Sequence, residues 1–202
     1  MAAMNHSFFA YLLLALASSC SHHAPAVEQR ARALVERLGG SFERAGGSPE
    51  GAIESIDLHG SSVTDAELAA LEGLDSLRKL DLRLTGIGDA GVAHVGTLHS
   101  LRFLNLFRTQ TGDEGLARLA NLTDLETLLL GGTKVSDSGL AKLAPFRKLV
   151  KLSLFDTAIS DEGLEHIARL EQLGTLLAGK SKITAEGLAS LQSKLPNVRF
   201  RE

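Results

Sequence analysis

The chain has no tryptophan and one tyrosine, and aromatic residues make up only 4% of its 202 positions. Conventional globular cores lean on aromatic bulk, so this interior must be filled in another way, by the leucine that recurs throughout. A single cysteine, Cys20, excludes an intrachain disulfide. No run of like charges occurs and the formal net charge is −3. A dedicated nucleic-acid binder usually carries a basic stripe, so no nucleic-acid partner is expected. The apolar run near the amino terminus, Phe8 to Ala17, has ten residues. A helix spanning a bilayer needs about 20. The run therefore reads as the core of a signal peptide over residues 1–19 and not as a transmembrane anchor.

The segment Leu16-Ala17-Ser18-Ser19-Cys20 resembles a bacterial lipoprotein box. The resemblance implies that Cys20 becomes the first mature residue and carries a lipid, giving an extracytoplasmic, membrane-anchored protein with residues 20–25 as a tether. The alternative is an ordinary signal peptide cleaved between Ala17 and Cys20, leaving an incidental thiol on a secreted soluble protein. His22 and His23 fall in the tether and read as a solvated linker.

The rest of the chain repeats. Ile53, Leu77, Leu101, Leu125, Leu149 and Leu173 recur at intervals of 24 with no insertion. Three residues beyond each stands Ile56, Leu80, Leu104, Leu128, Leu152 or Leu176; two further on stands Leu58, Leu82, Leu106, Leu130, Leu154 or Ala178. Alternation at positions four and six is the period of a strand with one buried face. Later in each unit the step becomes three, as in Leu68, Leu71 and Leu74 or Leu116, Leu119 and Leu122, which is helical spacing. Each unit is thus expected to be one strand, a turn and one short helix.

The turn has its own chemistry. Position nine is Ser61, Thr85, Thr109, Thr133, Thr157 or Ser181, a small hydroxyl suited to bonding backbone groups left unpaired at the strand exit. Position thirteen is Asp65, Asp89, Asp113, Asp137 or Asp161. Each is expected to cap the helix it begins, and Thr64 with Glu67 reads as a capping box. Capping explains the whole column, and calcium-binding glycine–aspartate repeats have a shorter period, so no metal is assigned. Glycine at position fifteen (Gly91, Gly115, Gly139, Gly163, Gly187) is costly in a helix and points to close approach between neighbouring units. Gly131-Gly132 is not followed by Lys-Ser/Thr and is no nucleotide loop; no cofactor is expected.

The pattern LxxLxLxxTxIxDxGLxxLxxL over Ile53 to Glu202 resembles the leucine-rich repeats of planctomycete and other bacterial extracytoplasmic proteins, and is similar to those of F-box proteins, although no F-box precedes it here. The resemblance implies an α/β solenoid: an arc of six repeats with a carboxy-terminal cap over 53–202, with parallel strands on the concave face and helices on the convex face, and Lys194-Leu195-Pro196-Asn197-Val198 resembles the terminal tail of such arrays. Terminal layers of a solenoid must be covered. Val27, Ala31, Leu34, Val35 and Leu38 predict a covering helix over Ala26 to Leu38, within a cap spanning 26–52, and Phe42 is expected to begin a strand that turns through Ala45 to Gly51 into Ile53. Ala178 and Ala185 mark the last repeat as an edge unit.

Positions three, five and seven of each strand are expected to point out of the concave face. Most are polar, but Phe103, Phe107, Leu129, Phe155 and Leu177 gather large apolar groups there, with Gly131 and Gly179 as low spots beside them. Exposed patches of this kind mark binding sites. With Arg83, Arg108 and Asp156 at their edge, these residues are the candidate contact surface for a protein or peptide. The concave face is roughly 400 Å² in plan against about 800 Å² per partner in a standard interface. A tight complex would therefore need the adjoining loop residues Leu84, Arg108, Asp156 and Lys180. The rival reading is a shallow hydrolytic or metal site at Asp57, His59, Asp81 and Arg83, but no nucleophile stands beside His59 and nothing excludes water. A structural spacer is the third. No catalytic residue is assigned.

Overall fold

The computed structural model describes residues 26–201; the expected leader, Cys20 and the tether lie outside the described residues. Eight strands form one sheet in chain order. They are β1 Ser41–Arg44, β2 Ile53–Asp57, β3 Lys79–Asp81, β4 Phe103–Asn105, β5 Thr127–Leu129, β6 Lys151–Ser153, β7 Thr175–Leu177 and β8 Arg199–Arg201. From β2 onward every pairing is parallel and keeps the same register. Ser55 stands beside Lys79, then Phe103, Thr127, Lys151, Thr175 and Arg199 follow. The uninterrupted 24-residue interval enforces this, since it brings each repeat position alongside its own copy. β8 is a seventh parallel strand that the leucine pattern does not announce, because Phe200 occupies the place of the leucine and arginines flank it.

The convex side carries a 3₁₀ helix at Ala66–Leu71, α2 Asp89–Val95, α3 Asp113–Arg118, α4 Asp137–Leu140, α5 Leu164–Ile167 and α6 Ala185–Lys194; α1, Ala26–Arg37, precedes the sheet. Several of these convex segments are 3₁₀ turns or pass into one, as at Ala141–Leu143 and Asp161–Gly163. A step of three leucines suits 3.0 residues per turn better than 3.6. Helices this short do not form in isolation and owe their existence to stacking. Leu80, Leu104, Leu128 and Leu152, with Leu82, Leu106, Leu130 and Leu154, are fully buried and run as two rows through one continuous core.

The aspartate column does not cap its own helices. Each aspartate reaches into the next repeat, where its Oδ1 accepts a backbone N–H: Gly88 on Asp65 at 2.9 Å, Gly112 on Asp89 at 2.6 Å, Ser136 on Asp113 at 2.8 Å, Ser160 on Asp137 at 2.9 Å and Thr184 on Asp161 at 2.8 Å. The partner is thus the residue preceding the following helix. The glycine column explains why this can happen. A Cβ on Gly91, Gly115, Gly139, Gly163 or Gly187 would overlap the carboxylate from the repeat before it. Aspartate and glycine therefore form one device, a charge-assisted latch between layers with a vacant slot to receive it. The capping box is also altered. Glu67 accepts the Thr64 N–H at 2.8 Å, but Thr64 donates its hydroxyl to the same carboxylate and not to the helix.

The hydroxyl column behaves as expected at five positions. Thr85, Thr109, Thr133, Thr157 and Ser181 each donate to the carbonyl three residues back, at 2.5 to 2.8 Å. The Ser61 hydroxyl is buried and makes no hydrogen bond.

At the amino-terminal end α1 lays Ala31, Leu34 and Val35 over the first repeat. β1 runs antiparallel to β2, with an irregularity at Glu43/Arg44. Buried Glu28 holds this junction. It pairs with Arg44 at 3.0 Å and accepts the Ile53 N–H at 3.3 Å, an amide at the irregular end of the antiparallel pairing.

Candidate functional site

On the concave face the strand register brings the candidate residues into rows. Position five reads Asp57, Asp81, Asn105, Leu129, Ser153 and Leu177. Its short polar members are less exposed than their alternation suggests. Asp81, Asn105 and Ser153 are all buried. The reason lies at the strand exit, where the position-seven amide leaves the sheet ladder and the position-five side chain accepts it. Asp57 takes the His59 N–H at 2.9 Å, Asp81 the Arg83 N–H at 3.0 Å and Asn105 the Phe107 N–H at 3.1 Å. Asp81 also accepts the Asn105 amide at 3.1 Å and stands 3.7 Å from the Arg83 guanidinium.

Phe103, Phe107, Leu129, Phe155 and Leu177 are half-buried, not fully wet. A cation covers each aromatic ring: Lys79 lies 5.6 Å from the Phe103 centroid, Arg108 5.2 Å from Phe107 and Lys180 5.3 Å from Phe155. The expected low spot at Gly131 is occupied. The Phe107 ring lies against it, so that an added Cβ would sit 2.9 Å from a ring carbon. Gly179 instead borders an open basin next to Phe155. Phe107, Leu129, Phe155 and Leu177 thus form one apolar neighbourhood on β4 to β7 and the loops that follow them, while Phe103 stands in the next row beside Thr127.

Position eight, immediately beyond the strand exit, carries a signal that the sequence reading missed. Gly60 and Gly132 have φ of 64° and 67°, and Leu84, Arg108, Asp156 and Lys180 share that left-handed conformation with φ of 54° to 59°. Left-handed backbone costs a side-chain-bearing residue about 1–2 kcal/mol. The glycines at 60 and 132 were the available clue. The four other side chains are all exposed, and Leu84, at 51%, is one of two large apolar side chains that stand exposed among the described residues. They form a row along the rim of the concave face that includes the candidate residues Arg108 and Asp156.

Asp57, His59, Asp81 and Arg83 do come together at the first two strands. His59 Nδ1 lies 2.8 Å from Asp57 Oδ1. Burial alone would raise the Asp57 carboxyl, but the two His59 hydrogen bonds, with the charges of His59 and Arg83, outweigh it and hold the group below its ordinary value. The pair opens on a cavity of about 170 Å³ that also touches Ser61. The Ser61 hydroxyl makes no hydrogen bond to His59 or to any other group. Among the described residues, no three His, Cys, Asp or Glu side chains come together as metal ligands. What the arrangement offers is therefore a half-exposed hydrogen-bonded pair, with Asp81 committed to the backbone and to Asn105.

The sheet, its 24-residue register and the convex helices decide the architecture. The fold is a leucine-rich-repeat solenoid. A family model described as a leucine-rich repeat matches residues 75–94 and 147–168. No curated protein matches the sequence. Among solved structures, internalin C2 of Listeria monocytogenes is similar, with a TM-score of 0.59 and 24% identity over 73% of this chain and 70% of that one. A second internalin of the same bacterium, inlF, has a TM-score of 0.55 and 20% identity over 84% of this chain and 54% of that one. The ectodomain of the Arabidopsis receptor kinase HAESA, solved with an IDA peptide hormone ligand, has a TM-score of 0.56 and 20% identity over 76% of this chain. The chain spans about a quarter (26%) of that ectodomain's length. Solenoids of this fold commonly serve as protein-binding modules.

Proposed function

We propose that this chain is a non-catalytic module that binds a protein or peptide on the concave face of its solenoid. The observation that carries the reading is the rim row. Leu84, Arg108, Asp156 and Lys180 hold left-handed backbone where sister repeats use glycine, next to an apolar patch on β4 to β7. Folding does not need side chains there, since Gly60 and Gly132 serve the same turn without strain. Retaining bulky or charged groups at such a cost suits contact with a partner. Cation-covered aromatic anchors ringed by polar groups are the composition expected of a protein-contact surface. A hydrolytic or metal site at Asp57, His59 and Asp81 is the weaker reading, because Asp81 is spent on structure and the His59 pair stands in water.

The module is further proposed to act outside the cytoplasm, anchored through a lipid on Cys20, as the resemblance of residues 16–20 to a lipoprotein box implies. Metabolic labelling with an alkyne fatty acid, lost in Cys20→Ser, is the expected outcome for this part; label retained in that variant contradicts it. For the binding face, a crosslinking pull-down compares wild type with Phe107→Glu plus Phe155→Glu, with circular dichroism confirming the fold. A partner captured by wild type and lost from the folded variant is expected. Equal capture by both would move the site off the concave face.

A further inference from the structure

Among the described residues, the core row of leucines is interrupted in its last repeat. At position six, five repeats carry a fully buried leucine (Leu58, Leu82, Leu106, Leu130, Leu154), but the sixth carries Ala178. Beside the missing side chain lies a basin of about 570 Å³ whose apolar wall includes Phe155, Ile183, Leu188 and Phe200. That volume lies in the range of cavities that accept a ligand or an anchoring side chain. Its rim is cationic. Lys180 and Arg201 line it, and Lys151 and Arg199 stand exposed on the adjoining strands. None of the four makes an ion pair among the described residues. Against them, Asp156 is the one acidic side chain on β6 to β8 and the two rim loops between them. The chain as a whole is net negative, so this positive corner runs against the overall balance.

We propose that this basin docks an acidic protein segment, which inserts one apolar side chain where the sixth leucine is missing and sets its carboxylates against Lys180 and Arg201. This rests on the binding reading above and names the partner's chemistry. The charge is complementary to an acidic partner. Single-stranded nucleic acid is the other polyanion that a basic, aromatic surface attracts, but it binds by stacking bases on free ring faces, and here Lys79, Arg108 and Lys180 already lie over Phe103, Phe107 and Phe155. A second copy of the chain meeting β8 edge to edge would bring Arg199 and Arg201 against their own counterparts, which like-charge repulsion opposes.

The test is fluorescence anisotropy on the full chain with four probes: a labelled peptide carrying leucine flanked by aspartate and glutamate, the same peptide with alanine for leucine, the same with lysines for the acids, and a single-stranded oligonucleotide. Wild type is expected to bind the first at least tenfold more tightly than the other three, more weakly as salt rises. Ala178→Leu, which restores the residue of the other five repeats, should melt no lower than wild type and lose binding at least tenfold. Lys180→Glu with Arg201→Glu, both exposed, should switch preference to the lysine-flanked peptide. Unchanged affinity in folded Ala178→Leu, tighter binding of the oligonucleotide, or no preference between the acidic and basic peptides would each overturn the proposal. If binding survives Ala178→Leu but is lost in Phe107→Glu, the concave-face reading stands and the basin does not. If it survives both, both fail.

Discussion

Replacing Gly139 with alanine should destabilise this protein, although the same change in an ordinary exposed helix stabilises it. Gly139 lies in α4 at negative φ, so alanine would normally gain about 0.5–1 kcal/mol from reduced chain entropy. Here the added Cβ overlaps the Asp113 carboxylate and comes within 3.2 Å of a Val135 methyl carbon. Asp113 must therefore turn away from the three donors it now holds: the Ser136 N–H at 2.8 Å, the Ser136 hydroxyl at 2.6 Å and the Ser138 hydroxyl at 3.1 Å. A hydrogen bond to a charged group contributes about 1.5–3 kcal/mol, and Asp113 is only partly buried, so water recovers some of that loss. A net cost of about 1–2 kcal/mol is expected once the helix gain is subtracted. The assay is a double-mutant cycle in urea with Asp113→Ala. In the Asp113→Ala background the slot is empty, and Gly139→Ala should then be neutral or stabilising by about 0.5–1 kcal/mol. Gly139→Ala stabilising the otherwise native chain, or keeping its sign when Asp113 is absent, would refute the latch.

Three further outcomes follow from other parts of the fold. Leu84→Gly or Arg108→Gly should leave stability unchanged or raise it by up to about 1 kcal/mol, because relief of left-handed strain exceeds the entropy of an added glycine; urea midpoints below wild type would contradict this. Glu28→Ala should cost about 2 kcal/mol by removing the acceptor of the Ile53 amide and leaving half-buried Arg44 with the Gly51 carbonyl as its remaining hydrogen-bond partner, and a loss under about 1 kcal/mol in urea denaturation would show that the junction is held by apolar contacts alone. The Thr64 N–H, the Thr64 hydroxyl and Arg37 hold the Glu67 carboxyl down to about 2, from 4.5. Because the folded value is depressed, the stability that Glu67 contributes is present above 4.5 and is lost as pH falls toward about 2. Titration of the Glu67 carboxyl carbon by NMR should find that low midpoint; a midpoint near 4.5 would contradict it.

Much of the architecture was legible because repetition multiplies a weak signal. One LxxLxL segment could be a strand or part of a helix, but six at a fixed interval leave one way to stack. The glycine column was legible as close packing, yet its partner was not. Helix-start aspartates are ordinarily caps, and nothing in one repeat shows that Asp113 faces Gly139 of the next. The same holds for Glu28, whose partners Arg44 and Ile53 become neighbours only when α1 folds back on β2. β8 was hidden because a phenylalanine between two arginines breaks the leucine pattern while keeping its spacing. At the candidate site, alternation placed Phe107, Leu129, Phe155 and Leu177 on one face correctly. It did not show that cations lie on the rings, since Arg108 and Lys180 reach them from a left-handed turn that only Gly60 and Gly132 hinted at. The basin beside Ala178 was visible in the sequence only as a departure from consensus.

The most direct test of the central claim is contact mapping with a photo-crosslinking amino acid placed at Leu129, in the middle of the concave patch, and separately at Lys142, exposed on the convex side. The concave-face account predicts that the partner crosslinks to position 129 and not to 142. Crosslinking at 142 alone, with a folded protein in both cases, would contradict it.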